Sequence, residues 1–575
     1  MTRLRSYHNL IIIIKRKKMK RTIIILAFLI PAFAFIAKGQ PSGVKSAAKS
    51  VFTIHTFRAD GSLLATSHGV FISPDGEAIS NLQPFLGAHK AVVIDQKGNK
   101  ADVTRIIGTD AIYDVAHFRV GQKTTPITLA SSKAATGSKA WLVGYALKNP
   151  EIKETSVKSV EAFRNQYSYY IFGMSAPDDA IACPVVNDAG ELLGLLQVSS
   201  TSFDTHATDA AYVRTLVPNG LSYSDPVSAQ LFIPYALPDD SQQAQLALMM
   251  ATQSGDSLKY ASAAEDYMAR FPDQRDGYEA LARLQMTSRR FGEARQTMEK
   301  ALRNVTEKDQ PHYDLGRIVL DKELLFPSDS DEWNLDFALS EARQAYAVKP
   351  MPLYRHLEAR VLYAKGDYRG ACSIFDELSR DKSFSTPELL YQQAQCKTML
   401  GDDNREIIAL LDSAINTTDT MRINEAAPYF LARAQAYEAA DSFRQAVFDY
   451  TRFEILQQGR VSADFFFARG KAEVKGRLFQ QALGDYARAI ALDPNEPTYY
   501  AETAQLQMRV NMNEGALKTA QRCTEVAPQY PEGWLILGLA CIKNGDKATG
   551  LLHMRKAKEL GSTQADALIR KYEGS

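Results

Sequence analysis

Apolar and polar positions along the chain follow two different periods. From Ser50 to about Ser222, short runs rich in β-branched residues alternate with turn signals, as in VFTIHTF, GVFISPDG, AVVIDQKGNK, KAWLVGY and ELLGLLQV. Such runs predict the strands of an all-β barrel or sandwich. From about Gln242 onward the alternation gives way to a helical period with recurrent alanines. The segment between, SYSDPVSAQLFIPYALPDD, carries three prolines and marks a junction. The expected organisation is therefore an N-terminal β domain over 40–222, a linker over 223–241 and an all-α region over 242–575.

The helical region repeats. A small residue recurs at Gly470, Ala504 and Gly538, a 34-residue period, and a second follows twelve positions later at Ala482, Ala516 and Gly550. Two helices interlock closely where small residues face each other, and bulky residues then fill the gaps beside them. The unit FARGKAEVKGRLFQQALGDYARAIALDP ends at Pro494, the next ends at Pro528, and Trp534, Leu537, Gly538 and Ala557 keep the register in the last. These units resemble the tetratricopeptide-repeat family, which implies a solenoid of paired helices with a protein-binding surface. Looser units show the same twelve-residue step at Ala282 and Ala294, Ala359 and Ala371, and Ala434 and Ala446. The register slips around Ala394, and 306–334 reads as an insertion or distorted unit. The count is roughly eight units, closed by a capping helix from about Gln564 to Tyr572. Arg433 and Asp449, like Arg469 and Asp485, are sixteen residues apart, a spacing that predicts an ion pair within each repeat rather than an anion site.

Composition narrows the function classes. With 67 basic against 66 acidic residues in 575, the net charge is +1, which lacks the basic footprint of a nucleic-acid binder. Cys183, Cys372, Cys396, Cys523 and Cys541 are scattered without metal-ligand spacing and read as buried small hydrophobes. No cofactor motif, phosphate loop or metal cluster is present in the sequence. Met19-Lys20-Arg21, the apolar TIIILAFLIPAFAFIA and the small-x-small Ala37-Lys38-Gly39 read as a secretory signal peptide, with residues 1–18 as an upstream extension. The alternative, an uncleaved anchor, is opposed by the shortness of the apolar stretch and by Pro31 within it. The expected location is the periplasm or the cell surface, with no membrane span once the signal is removed.

Three stretches of the β half carry its chemistry. SHGVFISPDGEAISNLQPFLGA, residues 67–88, resembles the segment leading to the catalytic histidine in the Deg, or high-temperature-requirement, family of trypsin-like serine proteases. There Pro-Asp-Gly precedes Thr-Asn-x-His; here Ser80-Asn81-Leu82 keeps the frame and Gln83 stands where the histidine belongs. IIGTDAIYDVAHFRV, residues 106–120, is similar to the stretch bearing the triad aspartate and puts Asp114 in that place. His117 is expected on the other face of its strand. SAPDDAIACPVVNDAGELLGLLQV, residues 175–198, resembles the nucleophile loop and the strand after it, with Pro184, Gly190, Glu191 and Gly194 setting the register. That register places Ile181 at the nucleophile, and Asp179 and Ala182 at two loop glycines. The resemblance implies a trypsin-like double barrel whose chemistry has been removed. The family's PDZ module is not apparent after the barrel, where the repeats stand instead.

Glutamine takes up no proton near neutral pH, isoleucine has no nucleophilic atom, and an aspartate beside an oxyanion pocket opposes the charge the pocket must hold. The expected protein is therefore a pseudoprotease and scaffold with a protein or peptide partner. The competing reading is an active endopeptidase with a displaced site, using Ser175 or Cys183 with His68 or His89. The mature chain is expected to begin at Gln40, which terminal sequencing of the exported protein checks; a mature chain retaining Thr22–Ala37 would make that segment an anchor.

Overall fold

The computed structural model describes residues 40–164, 166–175, 178–198, 204–327 and 333–574. The segment expected as a signal peptide lies outside the described residues. Among those described, no helix is long and apolar enough to cross a membrane. The chain forms two compact units, Met1–Leu216 and Val217–Ser575.

The first unit holds two closed six-stranded barrels. The first contains β1 (Val51–Phe57), β2 (Leu63–Phe71), β3 (Glu77–Ser80), β4 (Lys90–Ile94), β5 (Lys100–Asp110) and β6 (Val115–Val120). Its hydrogen-bonded order is β1-β2-β3-β6-β5-β4, closed by pairing of β1 with β4. The second contains β7 (Lys139–Val143), β8 (Ile152–Phe163), β9 (Tyr167–Phe172), β10 (Pro184–Val186), β11 (Leu192–Val198) and β12 (Thr205–Asp209), closed by β7 against β10. Every strand alternates its side chains, so one set fills each barrel. Phe52 packs against Phe71 and Phe118 at ring separations of 4.6 and 6.1 Å, with Phe85 5.0 Å from Phe118. In the second barrel Leu142, Tyr170, Phe172, Val185 and Leu196 form the core. Gly69 is required on β2, because a Cβ there would lie 2.4 Å from the Ile79 carbonyl oxygen and 2.6 Å from the Phe52 ring.

The second unit is all helical. Residues 223–241, expected as a linker, are part of it: Tyr223, Leu231, Ile233 and Tyr235 are buried, and Lys259 Nζ donates to the Ser228 carbonyl at 2.8 Å. Helix pairs then run in unbroken succession from Ser241–Gln253 and Ser257–Arg270 to Pro531–Lys543 and Lys547–Glu559, closed by Ala565–Glu573. The stretch 306–334, expected as an insertion or distorted unit, supplies a 17-residue helix, Asp309–Leu325, which packs on Leu335–Val348. The unit thus contains more pairs than the roughly eight that the small-residue spacing marks.

The small residues lie at helix crossings. Ala482, Ala504 and Ala516 are fully buried, and a Cβ on Gly470 would meet the Tyr486 ring at 2.5 Å. A Cβ on Gly538 would lie 2.7 Å from the Gly550 carbonyl oxygen and 2.8 Å from Met554. Phe467 fills the adjoining space, 5.5 Å from Tyr486 and 4.8 Å from Tyr499. Gly538→Leu should therefore lower stability by about 1–3 kcal/mol through overpacking. Gly484, in the middle of the helix Phe479–Leu492, has open space where a Cβ would stand. Gly484→Ala should raise stability by about 0.5–1 kcal/mol through backbone entropy. Thermal unfolding of the two variants checks both signs.

Candidate functional site

The three blocks meet where strand ends of the two barrels come together. Where the chain leaves β3, Ser80 Oγ donates to the His68 carbonyl and Ser67 Oγ donates to Asn81 Oδ1 at 2.6 Å. The next residues form a short 3-10 turn, Gln83–Phe85, which opens with the exposed Gln83. Asp114 lies between β5 and β6 with φ of +50°, a left-handed conformation that aspartate tolerates better than most residues. Its Oδ1 accepts from the backbone N–H groups of Leu82 and Gln83, both at 2.9 Å. These N–H groups sit at the start of the turn, so the carboxylate caps it. The aspartate therefore reaches the segment carrying Gln83, through backbone rather than through an imidazole.

The third block is a tight loop leading into β10. After the 3-10 turn Asp178–Ala180 comes the half-buried Ile181, then the fully buried Ala182 with φ of +62°. A left-handed alanine costs roughly 1–2 kcal/mol that glycine would not incur. The loop is held by backbone bonds: Ala182 N–H donates to Leu196 O at 2.8 Å, Leu196 N–H donates to Cys183 O at 2.9 Å, and Cys183 N–H donates to Ala180 O at 3.0 Å. Asn81, Asp114, Ala182 and Leu196 line one cavity of about 20 Å³, room for about one water. The fold thus brings Asp114 and the loop next to Ile181 to a single place, which is nearly filled.

The displaced-site candidates are distributed unevenly around it. Burial pushes the Cys183 thiol up to about 12, so at neutral pH it is not the thiolate that attacks. Ser175 and His89 are exposed. His68 stacks on Tyr145 with ring centroids 5.7 Å apart, and burial holds its pKa below the usual imidazole value. Its Nδ1 is buried without a hydrogen-bond partner among the described residues. The Asp179 backbone and carboxylate lie close enough to favour its charged form in part, so the structure puts His68 beside the altered loop. Tyr145, which neighbours both His68 and Cys183, went unnoticed in the sequence because nothing in its local motif marks it.

His117 is buried in β6 and structural. Nδ1 lies 2.9 Å from the Leu216 carbonyl, which can only accept, so Nδ1 carries the proton. Nε2 lies 3.4 Å from Glu77, and the closeness of His117, together with the hydrogen bond that Arg119 donates at 2.8 Å, holds the Glu77 carboxyl down at about 2. A second network joins the Tyr212 hydroxyl, donating at 2.6 Å, and Arg164, at 3.1 Å, to Asp110 Oδ2. Among the described residues no group of three or more His, Cys, Asp or Glu could hold a metal ion.

Residues 59–195 match the family model of the trypsin-like peptidase domain. This chain carries a trypsin-like peptidase domain. The crystal structure of the Rv3671c protease from M. tuberculosis in its active form is similar at 18% identity, over 31% of this chain and 82% of that one, with a TM-score of 0.27. The inactive form of the Rv3671c protease aligns at 17% identity over 31% and 91% of the two chains, with a TM-score of 0.25. No curated protein matches the chain.

Because Asp114 supplies the acceptor for two backbone donors, Asp114→Ala should cost about 1–3 kcal/mol. Asp114→Asn retains an acceptor oxygen and should cost less. Hydrogen exchange at the Leu82 and Gln83 amides should quicken in the alanine variant; unchanged exchange would mean that the cap does not protect them.

Proposed function

We propose that this chain is a non-catalytic protein-binding or scaffold protein of the bacterial cell envelope, in which a pseudoprotease domain is joined to a tetratricopeptide-type solenoid. The observation that carries this reading is the pairing of Asp114 with the backbone of Leu82 and Gln83 at a site whose nucleophile position is Ile181. In a working triad the aspartate orients an imidazole that deprotonates a hydroxyl. Here one carboxylate oxygen accepts from two amide N–H groups, the base position is an amide side chain, and the nucleophile position is hydrocarbon. The Deg-type order of the three blocks supports descent from such an enzyme, and the changes fall on its reacting groups.

The helical unit supports the binding half of the reading. A cavity of about 270 Å³ is lined mostly by first helices of successive pairs, with Tyr363, Tyr391, Gln395, Met399, Leu431 and Gln435 on its walls. Aromatic and amide groups together suit an extended protein segment, whose backbone needs hydrogen bonds and whose side chains need apolar cover.

The test is activity on unfolded casein together with labelling by a fluorophosphonate probe. Wild type, Gln83→His, Ile181→Ser and the double variant should all remain at background. Triad members act as a unit, and Asp179 with the left-handed Ala182 opposes the oxyanion geometry, at roughly 3–4 kcal/mol per lost donor. Turnover by the unaltered mature chain, lost in Ser175→Ala or Cys183→Ala, would return the protein to the serine- or cysteine-type endopeptidases.

A further inference from the structure

The repeats place buried charges in a recurring arrangement, and one repeat departs from it. In the pair Ala427–Ala439 and Phe443–Leu456, Arg433 binds Asp449 through Nε at 2.7 Å and a terminal nitrogen at 2.8 Å, and also binds Asp412. In the next pair, Ala463–Lys475 and Phe479–Leu492, Arg469 does the same with Asp485 at 2.6 and 3.0 Å and reaches Glu454 at 2.7 Å. The residue four positions after the arginine differs. In the earlier pair it is Tyr437, whose ring lies 5.9 Å from the Arg433 guanidinium. In the later pair it is Glu473, only 4% exposed.

Glu473 is an acid without a counterpart. Arg469 and Arg488 balance Glu454 and Asp485, with Arg488 3.5 Å from Glu454 and 3.7 Å from Asp485. All three hydrogen-bonding nitrogens of Arg469 are engaged by those two carboxylates. Glu473 Oε2 is buried with no hydrogen-bond partner among the described residues. A buried carboxyl without a partner costs stability, and the preceding repeat shows that an aromatic residue fits the same helical position. Packing therefore gives no reason for the acid.

Space lies beside it. Glu473, Glu454 and Asp485 line a groove of about 580 Å³ together with Gln480, Gln481 and Arg488. The groove continues past Gln480 and Gly484 into a second of about 590 Å³, lined by Leu483, Ile490 and Met512. Unlike the cavity on the first helices, this groove draws mainly on the second helices Phe443–Leu456 and Phe479–Leu492 and on the first helix between them.

We infer that this groove is a binding site for a basic side chain of a protein partner, with Glu473 as the acceptor that its guanidinium or ammonium group completes. The inference rests on the protein-binding reading and names the chemistry of the partner. A cation entering the groove meets one unpartnered carboxyl on its floor, which can give up its proton to it, and Glu454 and Asp485 stand close by. Arginine suits the site best, since its planar fork can meet Glu473 and a flanking amide oxygen together. The empty site is consistent with this role. Burial, reinforced by Asp485 and Glu454 and opposed by Arg469 and Arg488, pushes the Glu473 carboxyl up to about 8, so that it holds its proton at neutral pH until a cation arrives. Tyr486, on the same helix as Asp485, also faces Glu473 and is itself held protonated, chiefly by burial.

The test uses the full mature chain and a capped pentapeptide, acetyl-Ala-Ala-Arg-Ala-Ala-amide, against the same peptide with neutral citrulline for arginine. Calorimetry at pH 7 should give binding at least about tenfold tighter for the arginine peptide, a difference abolished by Glu473→Gln, which conserves shape and removes the charge. Repeating the titration in buffers of different ionisation enthalpy should reveal net proton release on binding to wild type and none with Glu473→Gln. Equal affinity for the two peptides, absence of detectable binding at millimolar peptide, or an arginine preference that survives Glu473→Gln would each overturn the inference. None of these outcomes bears on casein hydrolysis, so failure here leaves the pseudoprotease reading to its own test.

Discussion

Closure of the backbone hydrogen-bond ladder is the constraint on which the N-terminal unit depends. A sheet edge leaves N–H and C=O groups unpaired, and each barrel removes its edges by joining first and last members: β1 to β4, and β7 to β10. Once both cylinders are closed, side chains pointing inward must fill them, as Phe52, Phe71 and Phe118 do in one and Tyr170, Phe172 and Leu196 do in the other. Loops that cannot enter the ladders are left at the barrel ends, where segments distant in the chain meet. Gln83, Asp114 and Ile181 lie in such segments, outside the strands that close the barrels.

What stays and what changes at the site follow that division. Asp114 has a structural duty, since two amides of the turn at Gln83 depend on it. The loop from Asp178 to Pro184 keeps its turn although Ala182 takes a left-handed conformation, because backbone bonds to Leu196 and Ala180 hold it. With Cys183 buried and the remaining cavity near the size of one water, the space between the blocks is occupied by packing.

In the helical unit the corresponding constraint is close approach. Small residues at Gly470, Gly538 and Gly550 let paired helices touch, and aromatic rings occupy the volume alongside. Charges drawn inside by this approach must then find partners, as Arg433 and Arg469 do with Asp449 and Asp485. Among the described residues of these two repeats Glu473 breaks the rule, buried without a hydrogen-bond partner on the wall of a groove.

Much of this was legible in the residues alone. Alternation of period two and the 34-residue recurrence specify barrel-like and paired-helix architectures, since strand and helix geometry force those periods on any buried face. That Gln83 takes up no proton near neutral pH and Ile181 has no nucleophilic atom is legible as well, because whether a group can take a proton or donate an electron pair is a property of the residue itself. The positions of Arg433 and Asp449, sixteen apart, foretold their pairing for the same geometric reason. The structure alone decided four further matters. The proline-rich 223–241 joined the helical unit because its aromatic side chains found cover there, and 306–334, open between an insertion and a distorted unit, contains a helix that pairs with the next. His68 and Tyr145 came to lie against the altered loop, and Glu473 came to lie unpaired on a groove floor. Contacts between segments far apart in the chain depend on how two barrels or three helices meet, and burial, which sets the cost of an unpaired charge, exists only once they have met.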